Sequence, residues 1–326
     1  MKKFALVMAL STLLFTVYFA AHAKDTGIAY VTTEKGNAIT LVDVKTLAVV
    51  GSIATCKRPR HMMLMPGGTQ LMVACGDFNQ ADVIDLATRK SVGRIPLGDD
   101  PEAFDLSPDG KLAYVSAEEE GAMNVFDLAT KKLIKSVPIG KEPEGVKVSA
   151  DGKLVYVTSE VANMVHVIDT ATYAVVKNIA VGKRPRRFAF NSDASELWVT
   201  NELGSSVSII SVRDLSVIAT LPFEVKGMRQ DDITPVGIAL ARDGKTMYVG
   251  LGRANHVAFV DVAARKTTQL VLVGKRAWGV SINRDGSRVY VVNGLSDDMT
   301  VIDAATAKAL KTVAVGRVPY MVVIDD

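Results

Sequence analysis

Histidine, cysteine and any imbalance of charge are what this sequence has least of. Four histidines and two cysteines in 326 residues leave little material for metal or thiol chemistry. No Cys-x-x-Cys-His haem attachment sequence, no histidine pair at metal-ligand spacing, no Gly-x-Ser-x-Gly elbow and no phosphate loop occurs. Without Lys2 and Lys3 the chain carries 36 basic against 35 acidic residues. Such a balance gives no electrostatic footprint for nucleic acid or for an anionic membrane. No apolar run beyond residue 23 is long enough to span a bilayer. The 3.6-residue apolar spacing of helical repeats is missing too.

Lys2 and Lys3 precede an uncharged apolar run from Phe4 to Ala20, and Ala21-His22-Ala23 follows as a small-x-small cleavage site. This order predicts a secretory signal peptide over 1–23, a periplasmic protein, and a mature domain over 24–326. An uncleaved anchor is the alternative. In an oxidising compartment Cys56 and Cys75 could pair, but two cysteines make no disulfide framework.

A repeat runs through the mature chain. Tyr30-Val31-Thr32, Met72-Val73-Ala74, Tyr114-Val115-Ser116, Tyr156-Val157-Thr158, Trp198-Val199-Thr200, Tyr248-Val249-Gly250 and Tyr290-Val291-Val292 are copies of one strand, with first residues 42, 42, 42, 42, 50 and 42 apart. Thirteen residues after each stand Asp43, Asp85, Asp127, Asp169, Ser211, Asp261 and Asp303. A third marker keeps step at Pro59, Pro101, Pro143, Pro185, Pro235, Ala277 and Pro319. Inside each unit, period-two alternation separated by Asp-Gly and Asp-x-Ala-Thr turns gives four antiparallel strands. Units of about 40 residues built this way are propeller blades. Val318 to Ile324 matches a first strand alone, so it completes the blade begun at Ile28. The expected fold is all-β: one seven-bladed β-propeller domain closed by its C-terminal strand.

The Tyr-Val-Thr strands with Val-Ile-Asp-x-Ala-Thr and Arg-Pro loops resemble the YVTN propeller repeats. Blade-specific segments go further: Glu142-Pro143-Glu144-Gly145, Lys183-Arg184-Pro185-Arg186, Gly252-x-Ala254-Asn255, Val273-Gly274-x-Arg276-x-Trp278 and Asn293-Gly294-x-Ser296. In order, they resemble the propeller proteins associated with pyrroloquinoline quinone (PQQ)-dependent alcohol catabolism. The resemblance implies an exported protein working beside quinoprotein alcohol oxidation and transport, and implies no known reaction. Ser211 for Asp, Pro66-Gly67-Gly68 for Pro-Asp-Gly, and Tyr320 for Trp depart from the pattern.

If the Pro loops lie on one face, the top, the residues after them ring the channel mouth: Arg60, Glu102, Glu144, Arg186, Val236, Trp278 and Tyr320. Half of that ring is charged and half apolar, the default picture of a binding pocket. Small residues follow at Ala103, Gly145, Gly237 and Gly279, whereas His61, Arg187 and Met321 must project somewhere. The candidate site is therefore Arg60, His61, Glu102, Glu144, Arg186, Arg187, Trp278 and Tyr320. The only insertion, within 224–234, also lies on the top. Glu34, Glu118, Glu160 and Glu202 recur four residues past their Tyr or Trp; they offer oxygen to calcium or are simply solvated. His61, Met62, Met63 and Met65 raise copper, although alternation divides them between faces. Asp105 and Lys147 are expected to pair along the channel. The turn near Gly67 sets residue 75 opposite about residue 60, so Cys56 and Cys75 lie within bridging reach, with free thiols as the alternative.

Three functions compete. A periplasmic, non-catalytic binding or accessory protein would take a small molecule, or a quinoprotein dehydrogenase or transport component, at the mouth. PQQ or calcium is a conceivable ligand and no catalytic residue or metal ligand is assigned. A lactonase-like hydrolase would use Glu102 or Glu144 as base, His61 as proton shuttle and Arg186 for an oxyanion. A purely structural platform would need none of these.

Overall fold

A computed structural model describes residues 25–326; the expected signal peptide lies outside them. Seven four-stranded antiparallel sheets make up the described chain. Blades 2 to 7 begin with innermost strands Pro59–Leu64, Pro101–Leu106, Pro143–Val148, Pro185–Phe190, Pro235–Leu240 and Ala277–Ile282. Blade 1 takes its innermost strand, Pro319–Asp325, from the C-terminus, and Ile28–Thr33 pairs with it from Ile28↔Asp325 onward. The ring is thus closed by main-chain hydrogen bonds, which leaves no free sheet edge between first and last blades.

The repeat markers have distinct physical jobs. The aromatic marker fills the gap to the following blade: Tyr30 packs between blades 1 and 2, Tyr156 between 4 and 5, Trp198 between 5 and 6, and Tyr290 between 7 and 1. Seven such inter-blade clusters form the core, and each buried aromatic contributes about 1.5–3 kcal/mol. The Asp marker ties the outer turn. Asp43 Oδ1 accepts from the N–H and hydroxyl of Thr46 at 2.7 and 2.9 Å, and Asp127, Asp169 and Asp303 repeat it. Ser211 substitutes by hydrogen bonding to Asp214 instead.

The hydroxyl that ends the Tyr-Val-Thr triplet is a clasp. Thr32, Ser116, Thr158 and Thr200 donate to the carbonyls of Arg60, Glu144, Arg186 and Val236, each on the next blade, at 2.8–3.1 Å. Each also accepts an N–H from its own innermost strand: Met321, Ala103, Gly145 and Arg187. Those N–H groups lie free of the sheet because every innermost strand bulges just after its prolyl position, as in the shifts from Pro143 to Val146 and from Pro185 to Phe188. A bulge bends its strand and re-aims side chains. Here it happens in all seven blades, at one level of the channel.

Cys56 and Cys75 are joined by a disulfide with Cα atoms 5.7 Å apart, beside the Pro59↔Cys75 register pair. The insertion forms a short 3-10 turn over Gln230–Asp232. Its Val225 and Ile233 pack with Phe223 onto the core between blades 5 and 6, and none of its residues lines the channel cavities. No helix among the described residues is long and apolar enough to cross a membrane.

Candidate functional site

The residues after the prolyl positions gather at one level of the channel, but the seven do not frame an open mouth. None is more than 8% exposed. Arg60 pairs with Glu102 and Arg186 with Glu160; Arg186 Nη2 also lies 3.3 Å from Glu144. Arg187 reaches across the axis, 2.8 Å from Glu144 and hydrogen bonded to the Tyr320 hydroxyl. The Tyr320 hydroxyl approaches Glu144 at 3.3 Å. Arg60 lies 4.7 Å over the Tyr320 ring and Arg186 5.1 Å over Trp278, so the charged half of the ring stacks on the aromatic half. Val236 instead turns into the packing against blades 7 and 1.

The result is a septum with a cavity on either side. The upper, of about 530 Å³, is lined by Arg60, Glu144 and Arg186. The lower, of about 480 Å³, is lined by His61 and Arg187. Among the described residues, only Trp278 and Tyr320 border both. The eight predicted site residues therefore belong to one layer, yet the expected single pocket is two. His61 is on the far side from the vestibule that holds Glu144.

Glycine lets the septum form. A Cβ at Gly145 would stand 2.0 Å from the Arg186 carbonyl, and one at Gly237 2.1 Å from that of Trp278. Only hydrogen fits where one innermost strand crosses the next.

Electrostatics fixes the charges of the layer. Burial alone would push Glu144 up, but Arg186, Arg187 and Arg60 outweigh it and hold the carboxyl at about 2. Glu102 moves the other way, raised by burial and then by Glu144. Burial pushes the Tyr320 phenol well up, so it stays protonated. His61, desolvated and facing Arg187 and Lys147, is pulled down to about 3 and is neutral.

Several vestibule residues escaped the sequence reading. Arg58, Arg184 and Arg276 stand directly before the prolyl position, with φ of 55, 55 and 60°. The left-handed region is costly for a side-chain-bearing residue, and its recurrence here carries these guanidinium groups over the septum. A signal existed, since the same phase position is charged in Arg58, Asp100, Glu142, Arg184 and Arg276. Arg58 binds Asp100 at 2.6 Å and lies 3.4 Å from Glu34. Arg184 lies 2.7 Å from Glu160 and 3.2 Å from Glu202. Three of the four recurring glutamates are thus arginine partners rather than solvated surface or a calcium cage. The fourth, Glu118, sits with Asp100 and Glu102, one oxygen from each within 4.8 Å of the others; Arg58 contacts two of the three, Asp100 at 2.6 Å and Glu102 at 3.2 Å. Of the copper set, Met62 packs between blades 1 and 2 and Met63 and Met65 against the core between blades 2 and 3, although His61, Met62 and Met63 all border the lower cavity. Asp105 and Lys147 pair at 3.0 Å in the lower cavity.

The far flank of the vestibule is different. Arg276 stacks 4.2 Å over Trp278 and, with exposed Arg253, has no carboxylate within ion-pair distance among the described residues. Burial lowers the Arg276 pKa on balance; Glu202 and Glu34 at longer range pull it back up, and Arg186 and Arg253 push it down. The Trp278 indole N–H, buried beneath, has no hydrogen-bond partner among the described residues.

Comparison with known proteins supports the fold. Residues 102–194 match a family described as a YNCE-like beta-propeller, and residues 170–324 match one described as lactonase, 7-bladed beta-propeller. No curated protein matches the chain by sequence. Among solved structures, hydrazine synthase of Kuenenia stuttgartiensis is 24% identical, with a TM-score of 0.77, covering 87% of this chain and 94% of its own. A putative 6-phosphogluconolactonase of Bacteroides fragilis is 17% identical, TM-score 0.77, covering 93% and 99%. The dihydro-heme d1 dehydrogenase NirN is 14% identical, TM-score 0.70, covering 93% and 76%. At these identities the likeness is one of architecture.

Proposed function

We propose that this propeller is an exported, non-catalytic binding protein whose upper vestibule takes a small, multiply charged anion. The carrying observation is the asymmetry of that vestibule. Glu34, Glu144, Glu160 and Glu202 pair with Arg58, Arg184, Arg186 and Arg187, while Arg276 and Arg253 have no carboxylate within ion-pair distance and lie beside an indole N–H with no partner among the described residues. Guanidinium groups bind carboxylate or phosphate by charge-assisted hydrogen bonds. An aromatic floor adds contact area for a planar ligand. PQQ, a planar tricarboxylate, meets both requirements, and the blade-specific segments resembling PQQ-associated propellers support a place beside quinoprotein alcohol oxidation. The leader-like sequence of residues 1–23 and the disulfide support a periplasmic location.

The hydrolase alternative fares less well on geometry. Its base and proton shuttle must share one pocket, yet His61 faces the lower cavity and Glu144 the upper. A Glu144 carboxyl held at about 2 is also a poor base near neutral pH, and Glu102, the other base that reading allows, is raised in pKa but borders neither cavity.

Titration calorimetry of the mature protein with PQQ, citrate and inorganic phosphate tests the proposal. Arg276→Ala together with Arg253→Ala should weaken anion binding roughly 10- to 100-fold, the range for lost charge-assisted hydrogen bonds. Absence of binding by all three anions, or an unchanged affinity in the variant, would reject it. Turnover of a lactone panel that is abolished by Glu144→Gln would favour the hydrolase instead.

A further inference from the structure

The chamber below the septum has its own chemistry. Its walls come from the innermost strands, and apolar side chains such as Phe104, Ile238, Val280, Ile282 and Met321 dominate them. The charges deep inside it are already matched. Lys147 lies 3.0 Å from Asp105, and Asp105 also accepts the Val148 N–H at 3.0 Å. Arg187 is held by Glu144 at 2.8 Å. Arg242 is exposed and donates to the Asn283 carbonyl at 3.3 Å.

His61 is the exception. Its ring sits edge-on to Phe104, centroids 4.8 Å apart, and its Nδ1 is buried with no hydrogen-bond partner among the described residues. With its pKa pulled down to about 3 by burial, and then by Arg187 and Lys147, it is a neutral imidazole offering one donor and one acceptor.

We propose that the lower chamber binds a small, uncharged, mainly apolar molecule carrying one hydroxyl or carbonyl group, and that this group meets His61. A charged ligand would give up its hydration without finding a free counter-ion at that depth. A pure hydrocarbon would fill the chamber but leave the imidazole unpaired. The proposal is independent of the anion reading, because the two cavities share only Trp278 and Tyr320 among the described residues.

The test uses benzyl alcohol, benzaldehyde, toluene, benzoate and benzylammonium as probes of the mature protein, with affinities from ligand-observed NMR. The alcohol and aldehyde should bind at least tenfold more tightly than either ion. Ser281→Phe, which fills the lower chamber from its wall, should abolish their binding. His61→Phe keeps the ring contact with Phe104 and should weaken the alcohol about fivefold, the size of one lost hydrogen bond, while leaving toluene unchanged. Arg276→Ala with Arg253→Ala should leave all five affinities as they were, whatever it does to anions above the septum. Benzoate binding as tightly as benzyl alcohol would overturn the proposal. So would alcohol binding that survives Ser281→Phe in a variant with a cooperative melt. If that variant does not fold, equal losses of alcohol and toluene in His61→Phe overturn it instead.

Discussion

The Thr158 hydroxyl donates to the main-chain carbonyl of Arg186 at 3.1 Å, and in doing so ties blade 4 to the septum residue of blade 5. The same oxygen accepts the Gly145 N–H at 2.7 Å, so one side chain serves both the bulge of its own blade and the backbone of the next.

Thr158→Val keeps the shape and removes both bonds. It leaves a buried N–H and a buried carbonyl unpaired, at a cost of about 1–3 kcal/mol for each such group. Urea unfolding should show a lower midpoint with an unchanged slope. Thr158→Ser, which keeps the hydroxyl, should lose much less.

Two glycines should respond in opposite ways to alanine. At Gly145 the new Cβ meets the Arg186 carbonyl at 2.0 Å, backbone that has nowhere to go. Gly145→Ala should destabilise by about 1–3 kcal/mol or more. At Gly93, in the outermost strand Lys90–Pro96, a Cβ meets only the Lys131 ammonium, at 3.7 Å. Gly93→Ala should be neutral or stabilising by about 0.5 kcal/mol, through lost freedom of the unfolded chain. Thermal melts of the pair give the comparison.

Reduction of Cys56–Cys75 should weaken the fold. The crosslink spans 19 residues of sequence, which corresponds to about 3 kcal/mol of loop-closure entropy in the unfolded state. Both sulfurs are buried, so reduction under native conditions should be slow and should accelerate with denaturant. Thiol labelling against urea concentration measures it.

Glu144 should make the septum acid-sensitive. Its folded pKa, about 2, lies below its ordinary value of 4.5. Its contribution to stability is therefore complete above pH 4.5 and is lost as pH falls through the folded value. The slope from this one group approaches about 1.4 kcal/mol per pH unit within that window. In Glu144→Gln the stability curve between pH 4.5 and 2 should be flatter, although the variant starts less stable because Arg186 and Arg187 lose their shared partner. Chemical denaturation across this range checks both.

What could be seen in the residues was whatever recurs locally. Tyr156, Asp169 and Pro143 mark strand, turn and loop by position alone, and the unmatched stretch from Val318 announced how the ring closes. Charge at the pre-prolyl position was visible too, at Arg58, Arg184 and Arg276, but nothing in strand alternation says that a left-handed residue will lift it over the channel. The pairing of Glu160 with Arg186 was hidden for another reason. It joins a top loop to a neighbouring blade's inner strand 26 residues away, and spacing carries no record of such angles.

The order of strands, their number and the seal between first and last blades were settled by the sequence itself, because period-two alternation and turn chemistry act over a few residues and repeat in phase. Whether the axis stays open was settled only in three dimensions. Arg187 and Tyr320 stand 133 residues apart in the chain, and they meet because ring closure brings blades 5 and 1 face to face across a bulged waist. Side chains long enough to cross that waist close it. On one side they leave unpaired cations, on the other a neutral histidine.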